Sequence, residues 1–263
     1  MFLDAIQRKA EPDPGVFPWT VPVFRWMERL EFRAPVTFLV GENGSGKSTL
    51  LEGLAAGMGA VTAGDADIER DDSLAAARRF AAGYRFSRKN KPRARLFVRA
   101  EDLFGFVRRV SRDMSELAAM EEGFKTSIKG DYGRQLATGA VRGQRRALEG
   151  TYGEDPDARS HGETFLNLLE KRLVVEGLYF LDEPEAPLSP LRILSLISLL
   201  KQVVADGSQL VICTHSPILM AFPGAQILVF EGDSLTPTAY EELDHVRLTR
   251  AFLNDPESYL RRL

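Results

Sequence analysis

Short apolar runs punctuate this chain, and each is followed at once by glycine-rich or polar residues and then by a helical pattern. Residues 36–40 are β-branched and aromatic, end in a glycine-rich stretch, and give way to leucines and alanines at helical spacing over 48–58. The same grammar recurs at Leu178-Tyr179-Phe180-Leu181, which meets Asp182-Glu183-Pro184 before a helical segment that runs to residue 200. A third run, 209–213, ends in Thr214-His215-Ser216-Pro217. Strands alternating with helices predict an α/β fold, with a mostly parallel sheet flanked by helices, because parallel neighbours need a crossover between them. In such sheets ligands gather at the carboxyl ends of the strands, and all three polar motifs sit at such ends.

The pattern changes in the middle of the chain. One strand, 96–98, is followed by helical stretches over 102–120 and 164–174, which predict a helical lobe at about 101–176 inserted into a core made of 1–100 and 177–263. The whole of 1–263 is read as one domain. Residues 132–159 are rich in glycine and arginine with weak periodicity, and the expectation there is loop with a short helix. There is no internal repeat, and no heptad array long enough for a coiled-coil arm.

Composition narrows the picture. With 44% hydrophobic and 27% charged residues among 263, the chain has the balance of a folded protein rather than a disordered one. A formal net charge of -3 gives no general attraction to nucleic acid or anionic lipid. Locally, Arg85, Arg88, Lys89, Lys91, Arg93 and Arg95 form a basic run, and Arg142, Arg145 and Arg146 a second cluster. Both suit a phosphate backbone, yet Asp65, Asp67, Glu69, Asp71 and Asp72 lie close enough upstream to balance the first. A nucleic-acid or protein partner therefore stays open. The single cysteine, Cys213, excludes an internal disulfide and suits a reducing compartment. Residues 1–11 carry neither a long apolar segment nor a small-residue cleavage pattern, so we expect no secretory signal and a cytoplasmic location. The most apolar stretch, 191–200, is interrupted by Arg192 and closed by Lys201, far short of the ~20 apolar residues a bilayer requires, so no direct membrane insertion is expected.

Gly41, Glu42, Asn43, Gly44, Ser45, Gly46, Lys47, Ser48 and Thr49 fit the pattern G-x-x-x-x-G-K-[ST] between a strand and a helix. The glycines let successive amides turn inward around phosphates, and the helix that follows adds the positive end of its dipole. Lys47 would neutralise the outer phosphates of ATP, and Ser48 would offer a hydroxyl to Mg²⁺. Asp182 and Glu183 emerge together from a buried strand. Asp182 can hold the metal's water shell, while Glu183 can orient the attacking water and accept its proton. Standing alone, Asp-Glu-Pro would be an ordinary polar end to a strand, and the upstream loop is what changes that reading. His215, also at a strand end, can donate to the outermost phosphate and contact a carbonyl across a dimer.

On these residues the chain resembles the ABC-type P-loop ATPases, within them the soluble branch of chromosome-maintenance and double-strand-break-repair ATPase heads. Carriers of the resemblance are Gly41 through Thr49, Phe180-Leu181-Asp182-Glu183-Pro184, Thr214-His215-Ser216-Pro217, and Ser160-His161-Gly162-Glu163. The last is similar to that family's Leu-Ser-Gly-Gly-Gln signature, with His161 replacing the first glycine and Arg159 the leading leucine. The resemblance implies a P-loop NTPase core with an inserted helical signature lobe. It also implies a head-to-tail homodimer with two ATP molecules in its interface, where Ser160, Gly162 and Glu163 close over the partner's nucleotide. Glu101 falls where the family has a glutamine that couples Mg²⁺ to the helical lobe, and its carboxylate could equally bind the metal more strongly or pair with Arg99, while Phe24-Arg25 looks like an element that places Arg25 near nucleotide. Residues 184–189 correspond to the family's dimer-contact loop, with Pro187 and Ser189 replacing its alanine and aspartate. The functional expectation is Mg²⁺-dependent ATP hydrolysis coupled to a partner, in DNA maintenance or defence. Its rivals are the ATPase subunit of a membrane transporter and a P-loop kinase acting on a small molecule.

Overall fold

The computed structural model describes residues 1–62, 75–127, 130–152 and 161–261. In chain order its strands are β1 (Leu3–Arg8), β2 (Arg29–Glu31), β3 (Val36–Gly41), β4 (Val61–Thr62), β5 (Tyr84–Arg88), β6 (Arg95–Arg99), β7 (Leu178–Asp182), β8 (Gln209–Cys213), β9 (Gln226–Glu231) and β10 (Ser234–Pro237). Its helices are α1 (Pro22–Trp26), α2 (Lys47–Met58), α3 (Ala75–Gly83), α4 (Ala100–Ser127), α5 (Asp131–Tyr152), α6 (His161–Arg172), α7 (Pro190–Ala205), α8 (Pro217–Met220), α9 (Asp244–Asn254) and α10 (Pro256–Leu260). The chain divides into two compact units: Met1–Ala100 with Leu173–Leu263, and Glu101–Arg172.

In the first unit, described strands form a sheet of order β10-β9-β3-β8-β7-β6-β4, parallel throughout except where β10 returns beside β9. All five residues of β7 and all five of β8 are buried, as both faces of a parallel sheet require, which is why their sequences are continuous apolar runs. Parallel register brings the carboxyl ends of β3, β8, β7 and β6 to one edge of the sheet: Leu39 pairs with Cys213, Cys213 with Asp182, and Asp182 with Arg99.

A smaller antiparallel sheet, β2-β1-β5, was not legible as such in the sequence. Gln209 of β8 stitches it to the larger one. The buried side-chain carbonyl of Gln209 accepts from the Phe2 and Leu3 amides at 2.7 and 2.9 Å, and its amide donates to the Leu3 carbonyl at 2.8 Å. An aromatic cluster fills the space beside α2. Phe80 stacks on Tyr84 at 4.6 Å and on Trp19 at 5.8 Å, and meets the edge of Phe24 at 5.2 Å. Two α2 glycines exist for this contact, since a Cβ on Gly53 would lie 2.3 Å from the Phe80 ring and one on Gly57 2.0 Å from Phe86.

In the second unit the expectation of loop over 132–159 is overturned for its larger part: α5 is a helix of 22 residues, while 153–159 lie outside the described residues. Glycines at 133, 139, 143 and 150 diluted the apolar period, but the helix is held by charge instead. Both Nε and Nη2 of Arg142 donate to Glu121 Oε1 of α4, at 2.9 and 2.7 Å, and Arg145 Nη1 lies 3.3 Å from Oε2. A guanidinium fork on a buried carboxylate fixes the two helices in register. The arginines read as a possible nucleic-acid contact are thus partly spent inside the lobe.

Candidate functional site

The glycine-rich loop bridges β3 and α2. Gly46 is the residue before the helix, at φ +105° with no side chain to cap it, and the first turn of α2 carries no acid. The helix therefore presents its first amides and its positive dipole end toward the loop's concavity. Phe24 forms the floor: a Cβ on Gly46 would lie 2.8 Å from Val21 Cγ1 and 3.3 Å from Phe24 Cζ, so the aromatic cluster supports the loop directly.

Polar groups in this loop are left wanting an anion. Ser45 Oγ is buried with no partner among the described residues. Lys47, itself buried, turns its Nζ back onto the carbonyls of Gly41 and Glu42 at 2.8 and 2.7 Å. Burial lowers the pKa of Lys47, opposed by the negative charge of Asp182 and Glu183 and by the Cys213 sulfur nearby. A buried ammonium satisfied only by neutral carbonyls and an orphaned hydroxyl fit a phosphate chain.

Beside it, Ser48 Oγ donates to Asp182 Oδ1 at 3.2 Å. Burial raises the pKa of Asp182, against the opposing effects of Arg99 and the Ser48 hydroxyl. Arg99 Nε stands 3.7 Å from Asp182 Oδ2, and its Nη2 pairs with Glu52. Among the described residues no group of three or more His, Cys, Asp or Glu is placed to cage a metal. Two hard oxygens side by side, one hydroxyl and one carboxylate, suit Mg²⁺, which takes few protein ligands and completes its octahedron with phosphate oxygens and water.

Glu183 is held with φ +48°, a left-handed conformation that costs a non-glycine residue about 1–3 kcal/mol. Its amide donates to the Cys213 carbonyl at 3.0 Å, which stabilises that turn. The consequence is that Asp182 and Glu183, adjacent in sequence, point differently: Asp182 is buried toward Ser48, while the half-exposed Glu183 carboxylate lies 3.8 Å from His215 Nε2. That separation exceeds a hydrogen bond. A cavity of about 740 Å³ opens between the loop, His215, Phe230 and His245. His245 Nε2 is buried without a partner among the described residues, and burial, then the nearby His215, lower its pKa.

Lys47, Ser48, Asp182, Glu183 and His215 thus meet along one sheet edge in the first unit. Arg25 is exposed in the last turn of α1, and its carbonyl accepts from Arg8 Nη1 at 2.8 Å. Glu101 stands in the first turn of α4, in the second unit. Gly162 and Glu163 open α6, also in the second unit, and Ser160 lies outside the described residues. In the basic run, Arg88 and Arg95 donate to the carbonyls of Gly57 and Met58, Lys89 pairs with Asp4, and Arg93 with Glu176. Residues 65–72, expected to balance this run, lie outside the described residues. Sequence reading missed Arg99 beside Asp182, because only strand register reveals the pairing, and missed Glu185 and His245 for the same kind of reason.

Residues 24–138 match the family model described as an AAA domain. No curated protein matches the chain. Among solved structures, the chain is similar to cbiO1 from Clostridium perfringens, part of the ABC transporter complex cbiONQ, at 16% identity and TM-score 0.48, covering 100% of both chains. It is similar to an ATP-binding subunit of an ABC transporter at 18% identity and TM-score 0.44, over 95% of this chain and 93% of that one. It is also similar to the SMC head domain from Thermotoga maritima at 15% identity and TM-score 0.41, over 91% of this chain and 100% of that one. The family match spans the glycine-rich loop, and the mostly parallel sheet flanked by helices bears out the α/β P-loop NTPase fold expected from the sequence.

Proposed function

We propose that this chain binds ATP with Mg²⁺ along the edge formed by β3, β7 and β8 and hydrolyses it, acting as a head-to-tail homodimer whose turnover is passed to a protein or nucleic-acid partner. The observation that carries the reading is the convergence of a buried Lys47, the Ser48–Asp182 pair and the Glu183–His215 pair at adjacent strand ends. Loop amides and Lys47 would grip the phosphates. Ser48 and Asp182 would hold Mg²⁺, which when bound screens the charge of the outer phosphates. Glu183, free of the Asp182 hydrogen bond, would orient water and take its proton, and His215 would donate to the outermost phosphate. Ser160, Gly162 and Glu163 would contact the nucleotide held by the other copy, Glu101 would sense the metal, and Arg25 would approach the nucleotide from α1. Among the described residues, no helix is long and apolar enough to cross a membrane.

Glu183→Gln should lower phosphate release by ~10² to 10⁴ and leave ATP affinity unchanged. Undiminished turnover removes Glu183 from the mechanism, and a phosphorylated small molecule in place of free phosphate replaces the ATPase reading with a kinase. The same variant, weighed by light scattering with and without ATP and Mg²⁺, should double in mass with nucleotide. A monomer under both conditions refutes the sandwich.

A further inference from the structure

Glu185 has no role in the chemistry above, yet it makes contacts that its place in the loop does not require. The loop after β7 is tightly wound, with Ala186 donating to the Glu183 carbonyl at 3.0 Å and Leu188 to the Glu185 carbonyl at 2.8 Å. From this turn one carboxylate oxygen, Glu185 Oε1, accepts two hydrogen bonds from the loop after β8: the Thr214 hydroxyl at 2.6 Å and the His215 amide at 2.8 Å. The Thr214 hydroxyl in turn accepts from the Ser216 amide at 3.0 Å, so a continuous chain of donors fixes residues 214–216. The other oxygen, Oε2, is buried with no partner among the described residues. Leaving a buried carboxylate oxygen unsatisfied is costly, and a turn whose only need was a cap would be served as well by a smaller neutral acceptor.

We infer that Glu185 is a positioning residue: by clamping the backbone at His215, it sets the imidazole against Glu183. Both partners of the 3.8 Å Glu183–His215 contact then hang from the same turn, Glu183 through its own backbone and His215 through the Glu185 carboxylate. The inference rests on the ATPase reading proposed above.

The test uses the full chain and measures phosphate release and ATP affinity for wild type, Glu185→Ala, Glu185→Gln, His215→Ala and the Glu185→Ala/His215→Ala double variant. Glu185→Ala should lower kcat roughly 10- to 100-fold with KM and ATP affinity little changed, as expected for misplacement of a group that acts on the reacting phosphate. Glu185→Gln, which keeps an acceptor oxygen for both donors, should recover most of that loss. In the His215→Ala background, Glu185→Ala should cost nothing further, because a residue acting through His215 has nothing left to position. Should Glu185→Ala not fold, Glu185→Asp takes its place, since it keeps the charge but withdraws the oxygen. Losses that multiply, a Gln variant as impaired as Ala, or a loss confined to KM overturn the inference and leave the ATPase reading standing. A wild type that binds ATP and releases no phosphate overturns both.

Discussion

Replacing Gly46 with alanine tests the claim that the aromatic cluster, through Val21 and Phe24, supports the phosphate loop. Two costs combine at this site. The backbone is at φ +105°, which an L residue adopts at a penalty of about 1–2 kcal/mol. The new Cβ would also meet Val21 Cγ1 at 2.8 Å and Phe24 Cζ at 3.3 Å. The valine methyl can retreat, but Phe24 is fully buried and wedged against Phe80, so part of the overlap persists as overpacking worth about 1–2 kcal/mol more. Together these give a loss of roughly 2–4 kcal/mol, or a fall in Tm of roughly 5–15 °C for a chain of this size. Gly44→Ala is the internal control: its φ is +79° but nothing lies within 4 Å of the added Cβ, so it should bear the backbone cost alone. Removing the obstructing methyls with Val21→Ala in the Gly46→Ala background should recover the packing part, visible as a coupling of about 1 kcal/mol in a denaturant double-mutant cycle. If Gly46→Ala is no less stable than Gly44→Ala, or if Val21→Ala is merely additive, the loop does not rest on this cluster.

Two pH-dependent outcomes follow from the charged pairs. Burial raises the pKa of Asp182, so ionising it opposes folding at neutral pH. Asp182→Asn should therefore melt at a higher temperature than wild type near pH 7 while losing ATP turnover, with the Tm difference closing in acid, where the wild-type carboxyl is protonated in both states. A lower Tm at neutral pH would show that Arg99 and Ser48 outweigh desolvation. Glu121 behaves oppositely, because the hydrogen bond from Arg142 lowers its pKa. The stability it adds is present above the unfolded carboxylate pKa and is lost as pH falls through the lower folded value. The Tm gap between wild type and Glu121→Gln should shrink as pH drops from about 7 toward 3, and a constant gap would exclude the ion pair as the tie between α4 and α5.

The sequence was sufficient for the strands that carry the site and for the residues that follow them. β3, β7 and β8 are buried on both faces, so each had to be a continuous apolar run, and the first polar residue after such a run marks the sheet's carboxyl edge. Loop, Asp182-Glu183 and His215 could be found because that signal is local. The small sheet β2-β1-β5 and the helix α5 escaped for complementary reasons. Antiparallel strands of three to six residues with half-exposed faces carry little period, and α5 owes its packing to arginines reaching Glu121 on another helix rather than to an apolar stripe.

What only the tertiary structure decided is which strand ends are neighbours and how their side chains face. Register brings Arg99 beside Asp182. A left-handed φ turns Glu183 away from its sequence neighbour toward His215, and Glu185 reaches across from one strand-end loop to the next. These contacts join residues about 30 to 130 positions apart, such as Glu185 with His215 and Ser48 with Asp182, and no periodicity along the chain encodes them. A residue's type and the run before it are written in the sequence, but the distance between two strand ends is fixed only when the sheet orders its strands and the backbone amides choose their partners.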